Sequence, residues 1–131
     1  MIGLDTNVLV RYIMQDDAEQ AAKATKLIEG LAAEALGFVP LVAVVELVWV
    51  LSSSYELNRS QIAQVLAVLL RSRQLLVDQA ERVVRALRAY SAGTAEFADC
   101  LIERTASAAG CSKTMPFDTA AARTAGMTLI L

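Results

Sequence analysis

Short apolar runs alternate with amphipathic stretches along the whole sequence. A short apolar run has the length of a buried strand, whereas apolar residues that recur every three or four positions mark one face of a helix. Strand-like and helix-like segments in alternation favour a parallel sheet whose strands are connected by helices. The pattern therefore predicts an α/β fold with a short parallel sheet.

The predicted strands lie at residues 2–4, 36–39, 75–77, 113–115 and 127–130. Two helical segments separate the second of these runs from the third, so this region is expected to be a helical arm and not a simple crossover. No repeat, low-complexity tract or linker-like stretch interrupts the pattern. Residues 1–131 are therefore expected to form a single domain.

Polar residues mark the starts of two predicted helices. Residues 16–19 have the capping-box pattern, in which Asp16 would accept a hydrogen bond from a free backbone amide and Glu19 would reach back. Glu19 and Lys23 are four residues apart, the spacing of an ion pair on a helix surface. Residues 58–61 offer a similar start for a second helix.

The nearly apolar run at residues 36–51 is shorter than a membrane-spanning segment, and Pro40 and Glu46 interrupt it. A buried helix explains this run better. The first residues lack the basic region, apolar stretch and small-residue cleavage site of a secretory signal. The protein is therefore expected to be cytoplasmic.

The sequence contains no histidine and only two cysteines. The absence of histidine excludes a Ser-His pair and histidine-ligated zinc. Cys100 and Cys111 are too badly spaced for a zinc site or a disulfide framework, and both are expected to be small buried hydrophobic residues. Carboxylates must therefore carry any hydrolytic chemistry.

The net charge of −2 argues against a general nucleic-acid binder, whose affinity would come from a basic surface. Binding of a nucleic acid would then depend on metal ions and a few local cations, or on a basic partner. Arg82, Arg85 and Arg88 recur along one predicted helix, which is typical of a solvated face. We assign these arginines no function from the sequence.

Four acidic residues lie in or at the end of apolar segments, where an unpaired ionised carboxylate is costly. They are Asp5, Glu46, Asp99 and Asp118. Each has a simple structural explanation: Asp5 and Asp118 as helix N-caps, Asp99 as an anion placed early in a helix, and Glu46 as the partner of a distant arginine. These separate explanations leave open whether the four acids meet.

The expected fold favours convergence of the four acids. Ligands of an open parallel sheet bind outside the carboxyl ends of the strands, where Asp5 and Asp118 should both lie. Glu46 and Asp99 can then approach from neighbouring helices. Four carboxylates that meet repel one another unless divalent cations lie between them. Oxygen ligands without histidine or cysteine favour Mg²⁺ or Mn²⁺.

Four motifs follow one another along the chain: an apolar strand ending in Asp5-Thr6-Asn7, a third helix with Glu46, the segment Phe97-Ala98-Asp99-Cys100-Leu101-Ile102, and Asp118 followed by small residues. The order of these motifs resembles the PIN-domain family, and more narrowly the VapC-type toxins of bacterial toxin-antitoxin pairs. The acids are about forty, fifty and twenty residues apart. The resemblance covers the whole chain.

The resemblance implies a three-layer α/β/α fold with a short central parallel sheet, and an endoribonuclease that is the toxin of a type II toxin-antitoxin pair. It also implies a homodimer and a cognate antitoxin whose C-terminal segment lies along the helical arm and blocks the site. Its implied ligands for Mg²⁺ or Mn²⁺ are Asp5, Glu46, Asp99 and Asp118. Thr6 and Asn7 would support Asp5, and Glu96 would add a water-mediated contact.

In the mechanism that we expect, one metal ion activates water and a second ion stabilises the leaving 3′ oxygen of an RNA phosphodiester. Arg11 and Lys113 lie close in sequence to the acidic motifs and are candidates for contact with the substrate phosphate. The family often has Thr or Ser two residues before the last Asp, where this chain has Pro116. Thr114 or Thr119 is a candidate to replace that hydroxyl.

Two other functions remain open from the sequence. One is a catalytically inactive PIN-like binding module, whose acids hold an arginine of the antitoxin or a structural ion. The other is a metal-dependent phosphatase with Asp5 as its nucleophile, although Asn7 stands where a second Asp is expected. Metal binding and a trapped phosphoaspartate would separate these alternatives.

Overall fold

The computed structural model describes residues 1–130. Its elements, in chain order, are β1 (Ile2–Gly3), α1 (Thr6–Met14), α2 (Ala18–Glu29), β2 (Gly37–Val39), α3 (Leu41–Ser53), α4 (Arg59–Arg71), β3 (Leu75–Val77), α5 (Ala80–Ala92), α6 (Phe97–Ala108) and α7 (Thr119–Thr124). Contacts divide the chain into two compact units, Met1–Asp78 and the part from Gln79 onwards. We call them the N-terminal unit and the C-terminal unit.

The three strands form one parallel sheet in the order β1-β2-β3. Gly3 is in register with Phe38, and Phe38 is in register with Leu76. Parallel strands that are paired in register have their carboxyl ends at the same edge of the sheet. Asp5 lies two residues after Gly3, and Asp78 lies two residues after Leu76. Both acids therefore leave the sheet at this edge, with β2 between their strands.

Helices of the N-terminal unit bury aliphatic side chains at helical spacing. The most buried of these side chains on α3 and α4 are Val44, Leu47, Leu51, Ile62 and Leu66. The apolar run at residues 36–51 is divided between β2 and α3. Across residues 1–130, no helix combines the length and the apolar character that crossing a membrane requires.

In the C-terminal unit, α5 and α6 pack against each other. The rings of Tyr90 and Phe97 meet edge to face, with centroids 5.9 Å apart and an interplanar angle of 87°. The Oγ1 atom of Thr124 accepts hydrogen bonds from the backbone amides of Thr94 (3.2 Å) and Ala95 (2.8 Å). Thr124 thereby ties α7 to the residues that lead into α6.

The predicted fold class is confirmed, since residues 1–130 contain seven helices and a three-stranded parallel sheet. These elements are consistent with the three-layer α/β/α arrangement that the sequence suggested. The first three predicted strands lie within one residue of the observed ones, and two helices separate β2 from β3 as expected. The single domain predicted for residues 1–131 extends to Leu131, outside the described residues, and stays a prediction.

The predicted cap of α2 was wrong by one residue. Asp17, and not Asp16, is the N-cap, and its Oδ1 accepts from the backbone amide of Gln20 (3.0 Å). Asp16 instead accepts from the hydroxyl of Tyr55 (2.6 Å) and from Arg11 (3.2 Å). The bond from Tyr55, helped by the charge of Arg11, lowers the pKa of Asp16 below its usual value. We call Asp16, Tyr55 and Arg11 the Tyr55 network.

Two other local predictions are confirmed. Asn58 and Gln61 form a complete capping box at the start of α4, with bonds of 2.8 and 2.9 Å. Lys23 Nζ lies 3.4 Å from Glu19 Oε1, as expected of residues four apart on a helix.

The strands predicted at residues 113–115 and 127–130 are absent from the described structure. The backbone amide of Thr128 donates to the carbonyl of Thr114 (2.8 Å), and the amide two residues later donates to the carbonyl of residue 116 (3.1 Å). A parallel ladder also needs the amide of residue 116 to donate to the carbonyl of Thr128. Residue 116 is proline and has no amide hydrogen, so the ladder is not completed.

Gly37 occupies a crowded position at the centre of the sheet. A Cβ atom there would lie 2.8 Å from a methyl carbon of Leu31, 2.9 Å from one of Leu4 and 3.1 Å from one of Leu75. All three leucines are buried, so they cannot move aside cheaply. We expect Gly37→Ala to lower the free energy of unfolding by about 1–3 kcal/mol, measured by urea denaturation.

Gly3→Ala is the matched control, because a Cβ atom at Gly3 meets nothing within 4 Å. Its effect on the unfolding free energy should stay within about 0.5 kcal/mol. Equal losses in the two variants would show that general strand effects, and not crowding at Gly37, govern the result.

Candidate active site

Asp5 follows β1 and is the N-cap of α1. Its Oδ1 accepts a hydrogen bond from the backbone amide of Thr6 at 2.9 Å, and its Oδ2 accepts none from the residues that the structure describes. Asp5 and Asn7 are exposed, whereas Thr6 is buried. Asp5 is therefore a helix N-cap, as one explanation from the sequence had it. This role uses only one of its two carboxylate oxygens.

Glu46 lies in the middle of α3, and the expectation that it sits in an apolar environment was wrong. It is exposed on the same side of the helix as Val42 and Trp49, which are 77% and 65% exposed. Helical periodicity turns Val44 and Leu47 inwards and leaves Glu46 outside. Among residues 1–130, Glu46 forms no ion pair, so a partner arginine does not explain it.

Asp78 was not among the acids predicted from the sequence. This residue follows β3 as Asp5 follows β1, and the two leave the sheet at the same edge, with their strands about 9.5 Å apart. Its Oδ2 accepts a hydrogen bond from the backbone amide of Leu41 at 3.4 Å, at the first turn of α3. Asp78 thus helps to position the helix that carries Glu46. A carboxylate directly after an apolar run was the signal that could have identified it.

Carboxylates of the C-terminal unit interact with one another. Asp99 lies in the first turn of α6 and is partly buried, and Glu96 precedes that helix. Burial raises the pKa of Asp99, and the negative charges of Asp118 and Glu96 raise it further. Asp118 is the exposed N-cap of α7, where its Oδ1 accepts from the backbone amide of Ala120 (3.1 Å).

The four acids of the predicted site are divided equally between the units. Asp5 and Glu46 belong to the N-terminal unit, and Asp99 and Asp118 belong to the C-terminal unit. In the described part of neither unit do three or more acidic or cysteine side chains come close enough to hold a metal ion by themselves. The convergence of all four stays a prediction.

The donor chemistry fits a hard divalent cation. All the candidate ligands are carboxylates, whose oxygens Mg²⁺ and Mn²⁺ prefer. Burial, and then repulsion by Asp118 and Glu96, raises the pKa of Asp99, and a bound cation would relieve the repulsion.

The other residues singled out in the sequence have different surroundings. Arg11 donates to Tyr55 (3.0 Å) and to the side chain of Gln20 (2.7 Å) in addition to Asp16, so its guanidinium is held in a structural network. Lys113 is exposed. Of the two cysteines, Cys100 is buried as predicted, whereas Cys111 is exposed and its predicted burial was wrong.

A family model described as PIN domain matches residues 2–127. The chain belongs to the PIN-domain family. Membership indicates nuclease activity in general, and PIN-domain nucleases usually use divalent metal ions. No curated protein and no solved structure matches the chain significantly.

The raised pKa of Asp99 has a consequence for stability. A carboxyl group whose folded pKa lies above its unfolded value destabilises the fold once pH rises past the unfolded value of 3.8. Asp99→Asn should therefore stabilise the metal-free protein at pH 7, and this gain should shrink as pH falls towards 4. Urea midpoints measured in EDTA at several pH values test this.

Glu34→Gln is the control, because Glu34 is an exposed acid of the N-terminal unit and its removal changes the net charge equally. A similar gain in this control would attribute the effect to net charge and contradict a local origin at Asp99.

Proposed function

We propose that the protein is a metal-dependent endoribonuclease, the toxin of a type II toxin-antitoxin pair, whose carboxylates Asp5, Glu46, Asp99 and Asp118 hold Mg²⁺ or Mn²⁺. The observation that carries the proposal is the PIN-domain match, which spans all four acids. The mutual repulsion of carboxylates around Asp99 supports it, since such groups are tolerated best around a cation. The enzyme would act on RNA in the cytoplasm.

When bound, the divalent cations supply an activated water and stabilise the leaving 3′ oxygen of the phosphodiester. The chain itself supplies rigid ligands. The amide of Thr6 holds one oxygen of Asp5 and so fixes the orientation of the other. Glu46 is carried by a helix whose first turn is held by Asp78, which we regard as a positioning residue. Glu96 adds negative charge beside Asp99 and would bind through water.

The partner proposal rests on the outer face of α3. Val42 and Trp49 expose apolar surface one turn to either side of Glu46. An apolar segment of an antitoxin that packs along these residues would cover Glu46 and exclude substrate. A homodimer also belongs to this proposal, by the family resemblance.

Pro116 favours one alternative, a PIN-like module that binds without cleaving. It removes the hydroxyl that the family often has near its last Asp. Calorimetry with Mn²⁺ and cleavage assays on the same sample separate the two functions, since only the inactive module binds metal and leaves RNA intact.

Asp5→Asn tests the metal-dependent chemistry. Loss of a supporting group around a metal typically costs about 10- to 100-fold, so loss of a ligand should lower the cleavage rate by at least about 100-fold. The variant should keep the wild-type circular dichroism spectrum, because Asn caps helices as well as Asp does. Cleavage of labelled RNA in Mg²⁺ or Mn²⁺, with EDTA as a blank, is the measurement.

Asp17→Asn is the matched control, since Asp17 is also an exposed N-cap, at the start of α2. It should cleave at the wild-type rate. Cleavage that persists in EDTA, or an equal loss in both variants, would rule out the proposed role of Asp5.

Trp49 provides a test of the antitoxin proposal, because it is the only tryptophan in the sequence and is largely exposed. Titration with the product of the neighbouring reading frame should shift its fluorescence to shorter wavelength as water is removed from the ring, and should inhibit cleavage in parallel. Binding that inhibits cleavage without any change in Trp49 emission would place the antitoxin elsewhere.

A further inference from the structure

Two adjoining cavities lie along α5 and α6 of the C-terminal unit, with volumes of about 390 and 450 Å³. Arg85 and Arg104 line both cavities. Arg82 lines the first and Arg88 lines the second. We call the surface formed by these four residues the arginine groove.

The charge of the groove is opposite to that of the whole chain. Its two cavities are lined by four arginines and a single acid, Glu81. Arg104 also pairs with Glu103, which is buried. Even with this acid included, four arginines outnumber two carboxylates. A chain of net charge −2 thus concentrates a third of its twelve basic residues on one surface of two helices.

The guanidinium groups of the groove are accessible to a ligand. The side chains of Arg85 and Arg104 are 60% and 38% exposed although each pairs with a glutamate. Within residues 1–130, Arg82 and Arg88 form no ion pair at all. Donors therefore remain available at each of the four positions.

The three arginines of α5 are exposed or partly exposed, as the sequence suggested for a solvated helix face, and an arginine of a second helix joins them. Arg82, Arg85 and Arg88 follow one another at about 4.5 Å of rise along α5. Arg104 enters the same cavities from α6, which no periodicity within α5 could reveal. Arginines of two helices thus line both cavities.

Arginine binds phosphate, as it binds carboxylate, through paired N–H donors in a planar fork. A series of such forks suits a ligand with repeated phosphates. We propose that the arginine groove binds the phosphate backbone of single-stranded RNA. This inference rests on the proposed function, because RNA is the ligand expected of an endoribonuclease.

The test measures binding apart from cleavage. Anisotropy of a fluorescein-labelled single-stranded RNA of mixed sequence is followed in EDTA, where the proposed chemistry cannot proceed. The triple variant R82Q/R85Q/R88Q should bind at least about ten times more weakly, and the slope of log affinity against log salt should fall by about two. Arg104 is left in place because its removal would strand the buried Glu103.

The triple variant R71Q/R73Q/K26Q is the matched control, since these three exposed cations lie in the N-terminal unit and carry the same total charge. It should bind RNA as the wild type does. An equal loss of RNA affinity in the control would show that net charge alone explains the effect, and the proposal for the groove would be wrong.

Glu81→Gln provides a result that misfolding cannot imitate. Removal of this carboxylate frees Arg85, with which it pairs at 2.9 Å, so RNA should bind a few times more tightly and with a steeper salt dependence. Unchanged or weaker binding would count against the groove.

Failure of the groove and failure of the proposed function give different results. If the wild type cleaves RNA and the triple variant R82Q/R85Q/R88Q binds RNA normally, the proposal for the groove is wrong and the proposed nuclease function is kept. If the wild type never cleaves RNA but the triple variant loses RNA binding, the proposed nuclease function is wrong and the proposal for the groove is kept. Polyglutamate serves as a second probe in the same assay. If the triple variant R82Q/R85Q/R88Q loses binding to polyglutamate but binds RNA as the wild type does, the proposal is overturned in favour of an acidic protein partner.

Discussion

The backbone hydrogen bonds between three very short parallel strands determine how the N-terminal unit presents its acids. The strands are only two or three residues long, so each side chain at their centre has to fit closely. Gly37 allows three leucines to meet over the middle strand. The register then sends Asp5 and Asp78 out at one edge, where the first caps a helix and the second holds the start of α3. Packing and candidate chemistry in this unit therefore depend on the same few bonds.

Much of the fold could be predicted because its signals are local. Apolar runs identified all three strands of the sheet, and the Asn58 capping box identified the start of α4. The errors arose where a local signal competed with a longer-range one. Asp16 has the composition of a cap, but Tyr55, distant in sequence, offers it a hydroxyl donor and leaves the capping to Asp17. Pro116 lies in a segment that accepts backbone hydrogen bonds from residues 128 and 130, but it cannot supply the amide that a ladder requires.

The candidate site was predictable as a set of residue types and less so as an arrangement. The family resemblance selected four acids, and the PIN-domain match later supported the family itself. The exposure of Glu46 was missed because an apolar sequence does not reveal which side of a helix faces solvent when apolar residues occur on every side. Asp78 was missed although it too directly follows an apolar run, Leu75–Val77. The contribution of Arg104 to the groove depends on how α5 and α6 pack, which no single segment encodes.

The Tyr55 network joins parts of the N-terminal unit that are far apart in the chain. Tyr55 stands just beyond α3, and its partners Asp16 and Arg11 belong to the turn and helix that follow Asp5. These side-chain bonds link the turn after α3 to α1 and to the turn that follows it, in addition to the packing between the two helices. Because the pKa of Asp16 is lowered, its carboxylate keeps its charge in mildly acidic solution. The link between the helical arm and the helix that follows Asp5 consequently persists over that pH range.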